Sequence, residues 1–116
     1  MKTTLNNGMT PKDIFNTRTA SNSIKDFDGK VIPVFGYCKG EDVDKATGEV
    51  MELGYIKTAD DVIIGFKSSV CIECLSDLDD FIADTDTDIT TGEIKIKFIK
   101  GKAKSGREFY SFQMVD

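Results

Sequence analysis

Lys30-Val31-Ile32-Pro33-Val34-Phe35-Gly36-Tyr37-Cys38 is the stretch on which the fold turns. Its side chains follow a period of two, so it reads as a β-strand with Ile32, Val34 and Gly36 on one side and Val31, Phe35 and Tyr37 on the other. Pro33 lacks an N–H for a ladder and places the strand at an edge or a bulge. Gly36 marks the bend a strand needs to serve both sides of a small barrel. The turn signal Asp28-Gly29 precedes it, and a polar loop, residues 39–48, follows.

Beyond that loop, Glu49–Thr58 and Val62–Lys67 read as two strands of a hairpin turning at Ala59-Asp60-Asp61. Ser68 or Ser69 then caps a helix reaching about Ala83. Its apolar positions Cys71, Leu75, Leu78 and Ile82 fall at i, i+4, i+7 and i+11, widened by Cys74 and Phe81. Glu93–Lys100 and Glu108–Val115 are the last two strands. Upstream, Thr10-Pro11-Lys12-Asp13 opens a short helix with a cap, a proline in its first turn and an acid at the positive end of the dipole. Ile14 and Phe15 are expected to tack it onto the body.

The expected fold is therefore mainly β: five strands with one α-helix between strands 3 and 4, plus a short N-terminal helix. That order is the connectivity of the five-stranded OB-fold barrel, although a half-open α+β sheet has the same order. The length of 116 residues suits one domain, 1–116, with 1–22 as an N-terminal extension. No run approaches the ~18 apolar residues of a transmembrane helix, and MKTTLNNGMT has no apolar run to act as a signal peptide. Three cysteines are too few for a secreted disulfide framework, so a cytoplasmic location and no membrane partner are expected.

The net charge of −5 is unevenly spread. Residues 73–93 hold eight acids and no base, whereas residues 94–116 hold six bases against Glu108 and Asp116. Local charge steers a ligand more than the total does. In the fourth strand Ile94, Ile96 and Phe98 alternate with Lys95 and Lys97, which leaves the lysines facing away from the core.

Several spaced elements resemble the small single-stranded DNA-binding proteins of bacteriophages. They are Ser23–Ile32 leading into the first strand, an acidic loop closed by Thr47-Gly48-Glu49, the Asp60-Asp61 turn, Ser68-Ser69 at the helix start, and Lys102-Ala103-Lys104-Ser105-Gly106-Arg107-Glu108-Phe109-Tyr110 in the last hairpin. Two features depart from that family. Asp61 stands where a turn glycine is usual, and no acidic C-terminal tail follows Val115-Asp116. The resemblance implies an OB fold and sequence-nonspecific binding of single-stranded DNA during phage replication or recombination, in the bacterial host cytoplasm. Replication or recombination proteins are further implied partners, to a monomer or homodimer.

Such binding needs cations along the phosphates and flat side chains under the bases. Lys95 and Lys97 supply charge on the fourth strand, and Lys102, Lys104 and Arg107 on the loop that joins it to the fifth. In OB folds the strand 2–3 face and the neighbouring loops carry ligand, which adds Lys39, Tyr55, Lys57 and Lys67. Phe35, Tyr37, Tyr55, Phe66 and Phe109 are the stacking candidates, and Tyr110 and Phe112 are assigned to the core. The rival reading is a protein-interaction module acting through the acidic helix and loop, residues 73–93.

No enzyme is expected. Histidine is absent, and neither a phosphate-binding glycine loop nor a nucleophile elbow is present. Cys71-Ile72-Glu73-Cys74 lacks a second ligand pair for zinc, and its cysteines fit the buried helical stripe. Asp84, Asp86 and Asp88 lack the glycine and closing glutamate of a calcium loop. No metal or cofactor is expected.

Overall fold

The computed structural model describes residues 1–116. Seven strands form two antiparallel sheets. Strands β1 (Lys2–Asn7), β3 (Gly36–Val43), β4 (Val50–Lys57) and β5 (Ile63–Phe66) form one sheet in the order β1-β3-β4-β5. Strands β2 (Val31–Pro33), β6 (Lys95–Lys102) and β7 (Glu108–Val115) form the other, in the order β2-β6-β7. Helix α1 covers Pro11–Asn16 and helix α2 covers Ser69–Thr85.

The expected five-stranded barrel does not form: seven strands make two separate sheets. The Lys30–Cys38 stretch serves both, as a barrel strand would: the Val34 N–H donates to the Ile94 carbonyl (2.8 Å), while the next N–H, of Phe35, donates to the Lys57 carbonyl (2.9 Å). Closure fails at β5, whose outer edge is occupied by residue 22: Gly65 N–H donates to the Asn22 carbonyl (3.1 Å), so β5 and β7 do not pair and the sheets stay open. Lys2–Asn7 also adds a strand to the free edge of β3. Gly36 allows its close approach, because a Cβ there would sit 2.8 Å from the Gly8 carbonyl carbon.

Residues 1–22 are thus a strap rather than an appendage. The strap starts on the β3 edge, crosses the outer face of the four-stranded sheet and ends on the β5 edge. Met9, Ile14 and Ala20 pack there on Cys38, Tyr55 and Ile63. Thr10 caps α1 by accepting from the Asp13 N–H (3.1 Å), and the Asp13 carboxylate accepts from the Thr10 N–H (2.9 Å), a reciprocal capping box. Phe15 does not tack the helix down; it is 60% exposed.

Between the sheets lies one main core, in which Ile56, Ile64, Leu75, Ile96 and Phe98 are fully buried. Phe98 meets Phe66 and Phe112 edge-on, at centroid distances of 6.5 and 5.8 Å. Helix α2 closes the core with Cys71, Leu75, Leu78 and Ile82, as its spacing predicts, and with Ile72; of the two residues expected to widen the stripe, Cys74 is half-buried and Phe81 is exposed. Ser68 caps it, and Asp86 ends it in a left-handed conformation. No helix is long and apolar enough to cross a membrane. The globule is compact, with a radius of gyration of 13.9 Å.

Tyr37, expected on a binding face, is fully buried. Its hydroxyl donates to Asp79 Oδ1 (2.7 Å) and accepts from Asn7 Nδ2 (3.2 Å), tying α2 to β1. Burial, reinforced by the Asp79 carboxylate, raises its pKa and keeps the phenol protonated. Tyr37→Phe should destabilise the fold by about 1.5–3 kcal/mol, the worth of a hydrogen bond to a charged acceptor. Thermal melts should show a midpoint several degrees lower, and an unchanged midpoint would contradict this role.

Candidate nucleic-acid interface

The β6–β7 hairpin stands out of the three-stranded sheet, and its two faces differ. Its ladder register pairs Ile96 with Met114, Phe98 with Phe112, Lys100 with Tyr110 and Lys102 with Glu108 on the core side. On the outer side it pairs Lys97 with Gln113, Ile99 with Ser111 and Gly101 with Phe109. Strand β2 adds Val31 beside Lys97 and Pro33 beside Lys95. The alternation expected for Lys95 and Lys97 therefore holds: both point away from the core, Lys95 exposed and Lys97 partly so.

Phe109 is half-exposed on that outer face, and its ring covers Gly101. A Cβ at Gly101 would meet ring carbons of Phe109 at 2.8 and 3.0 Å. The missing side chain is what lets the ring lie across the backbone at Gly101, on the same face as Lys95 and Lys97. Gly106, at a φ of +85°, and the Ala103 N–H to Arg107 carbonyl bond (2.9 Å) close the turn. Lys102, Lys104 and Arg107 are exposed there and enter no ion pair. Lys100 is neutralised by Glu108 (3.0 Å) and lies 5.9 Å from the Tyr110 ring.

Tyr110 is not wholly core. It lines a cleft of about 270 Å³ with Lys25, Lys67 and Ser68, where the two sheets fail to close. Lys67 is exposed at the mouth of this cleft, close to the cap of α2. Lys25 was not a candidate, since nothing in its sequence surroundings sets it apart; the proximity comes from residues 24–27 folding as a 3-10 turn against β5.

The remaining candidates are not joined to this surface. Lys39 is half-buried and donates to Ser76 Oγ (3.0 Å). Lys57 is committed to Asp13 (3.0 Å) and Asp61 (3.4 Å). It faces the strap and holds no charge free for a phosphate. Tyr55 is half-buried under the same strap, and burial raises its phenol pKa. Phe35 packs against Gly92 in a cleft that also holds Asp60 and Asp61. Phe66 is buried. The strand 2–3 face expected to carry ligand is thus occupied by the chain's own residues 9–20.

Sequence reasoning also passed over an exposed pair on the strap, where the Arg18 guanidinium sits 4.0 Å from the Phe15 ring centroid. Two of the eight acids have local duties: Asp79 holds Tyr37, and Asp88 accepts from the Thr90 N–H (3.0 Å). Cys71 is buried, its thiol donating to the Tyr110 carbonyl (3.2 Å) and pushed up to about 11 by burial. No known family, characterised protein or solved structure matches the chain.

The strap is clamped electrostatically. Burial on its own would raise the pKa of Asp13, but the Thr10 N–H and the Lys57 ammonium outweigh it and hold the carboxyl below its ordinary 3.8. A depressed folded-state pKa contributes stability that is present above the unfolded value and is lost as pH falls through the folded one. Asp13→Asn should therefore lower the melting midpoint at neutral pH, and the gap to wild type should close below about pH 4. A gap of constant size down to about pH 2 would show that the charge does not clamp the strap.

Proposed function

We propose that this chain binds single-stranded DNA without sequence preference, through the outer face and tip of the β6–β7 hairpin. The observation that carries the reading is Phe109 laid over Gly101 on the face that bears Lys95 and Lys97, beneath a turn with three unpaired cations. Exposed aromatics accept any base on their π-face, and lysines follow phosphates without reading base edges. Resemblance of the segment Lys102–Tyr110 to the last hairpin of bacteriophage single-stranded DNA-binding proteins supports the same reading.

The strand runs along the hairpin and over its tip, and the cleft of Tyr110, Lys25 and Lys67 extends the cationic path toward the start of α2. The acids of 73–93 leave the opposite charge on α2 and the loop after it, which repels a rigid duplex more than a flexible strand that can follow the hairpin alone. The work is protection of strands exposed during phage replication or recombination in the host cytoplasm, with no catalytic step.

Anisotropy of a labelled oligo-dT, with a duplex of equal length as competitor, tests this. Binding should weaken with salt, and duplex should compete poorly. Replacing Lys102, Lys104 and Arg107 together with alanine should reduce the salt slope by about 2, from roughly 0.7 per lost phosphate contact on a single strand. Phe109→Leu should cost about 1–3 kcal/mol and leave the slope unchanged. No binding at low salt, or equal competition by duplex, would overturn the proposal.

A further inference from the structure

A second surface has a different chemistry. Between α2 and the core side of the β6–β7 hairpin lies an open groove of about 380 Å³. Cys74, Leu78 and Phe81 form its helix wall, and Ile96, Phe112 and Met114 its sheet wall. Phe81 and Met114, one on each wall, are 41% and 43% exposed. The core does not need them covered, because the buried stripe of α2 is already supplied by Cys71, Ile72, Leu75, Leu78 and Ile82.

The rim of this groove is acidic. Asp77 lines it, and Glu73, Asp80 and Asp84 stand on the same helical row at i−4, i+3 and i+7 from Asp77, with Glu73 also bordering a neighbouring cleft that holds Lys39 and Lys67. All four are exposed, and none is in an ion pair. Like charges at these spacings repel one another. The last turns of α2 have acids and no base, so they also oppose the helix dipole. An unfavourable charge row beside an uncovered apolar groove is relieved by a ligand that brings both cations and apolar side chains.

We propose that this groove docks a cationic amphipathic helix of another protein. The acidic row spans twelve residues, eleven steps or about 16 Å at the helical rise, which matches about three turns of a partner. Bulky apolar residues at i, i+3 or i+4 and i+7 fill the groove, and Lys or Arg on the flank meets the acids. A second copy of this chain does not fit that description. Its one long helix is acidic and carries no Lys or Arg, and two copies of net charge −5 repel. The surface shares no residue with the proposed DNA path: Lys95, Lys97 and Phe109 face the other side of the sheet, and the cleft of Tyr110, Lys25 and Lys67 has a separate lining.

The probe is a synthetic 14-residue peptide with leucines on one helical stripe and lysines beside it, compared with a scrambled peptide of identical composition. Titrated into the full chain labelled with nitrogen-15, the amphipathic peptide should shift amides of residues 73–84 and 112–115. The scrambled peptide should bind at least tenfold more weakly. Phe81→Ser, with Met114→Ser as a second variant should the first fail to fold, should weaken binding tenfold or more, as should Asp77→Asn combined with Asp80→Asn. Oligo-dT affinity should be unchanged in Phe81→Ser and Met114→Ser. Equal binding of the scrambled peptide, or wild-type affinity in folded Phe81→Ser, would overturn the proposal. So would a dimer in sedimentation that Phe81→Ser dissociates, because the groove would then belong to a second copy.

Discussion

Two consecutive backbone hydrogen bonds organise this molecule. Val34 N–H pairs into one sheet and Phe35 N–H into the other, so the chain changes sheets within a single residue step. An unpaired buried N–H is costly, so each donor must find an acceptor, and their acceptors lie on different strands. That step sets β2 against β6 and β3 against β4, fixes the wedge between the sheets, and leaves a space that α2 closes from one end. Pro33 stands just before the step, where it has no N–H to leave unpaired.

Most of the surface chemistry follows from that division. The four-stranded sheet has both faces covered, by the main core on one side and the strap on the other. Its lysine at 57 is consequently a structural cation held by Asp13. The three-stranded sheet has nothing on its outer face, and there the free lysines and Phe109 remain. Charge in the C-terminal part of the chain is divided in the same way, with six bases in residues 94–116 and eight acids and no base in residues 73–93, on α2 and the loop that follows it. One small chain thus offers a cationic face with an aromatic and an anionic groove with apolar walls, on opposite sides of one hairpin.

Helix α2 was legible because its 3.6-residue stripe and serine cap are local signals, and β6 and β7 because their alternation is clean. Strand β1 was not: Lys2-Thr3-Thr4-Leu5-Asn6-Asn7 has one apolar residue, and it is held as a strand by backbone pairing with β3 rather than by burial. The separation of Val34 and Phe35 onto different sheets is likewise a matter of partners far along the chain. Tyr37 shows the limit of periodicity. Alternation placed it opposite Ile32 and Val34, but the sheet change turns it inward, where it shares a face with Ile56 and reaches Asp79. Lys57 was misread because its partner lies 44 residues away on the strap. The barrel failed as an expectation for the same reason, since Asn22 takes the edge of β5 that closure needs.

The central claim is that the uncovered face of the three-stranded sheet, not the strapped face of the other, receives the DNA strand. Amide chemical-shift mapping of the nitrogen-15-labelled chain with a short oligo-dT tests it most directly. The account predicts shifts concentrated at Lys95–Ser111, extending to Lys25 and Lys67, with Met9–Ala20 and Tyr55–Lys57 unmoved. Shifts centred on Tyr55, Lys57 and the strap would contradict it, for they would mean that the strap gives way and the four-stranded sheet is the binding face.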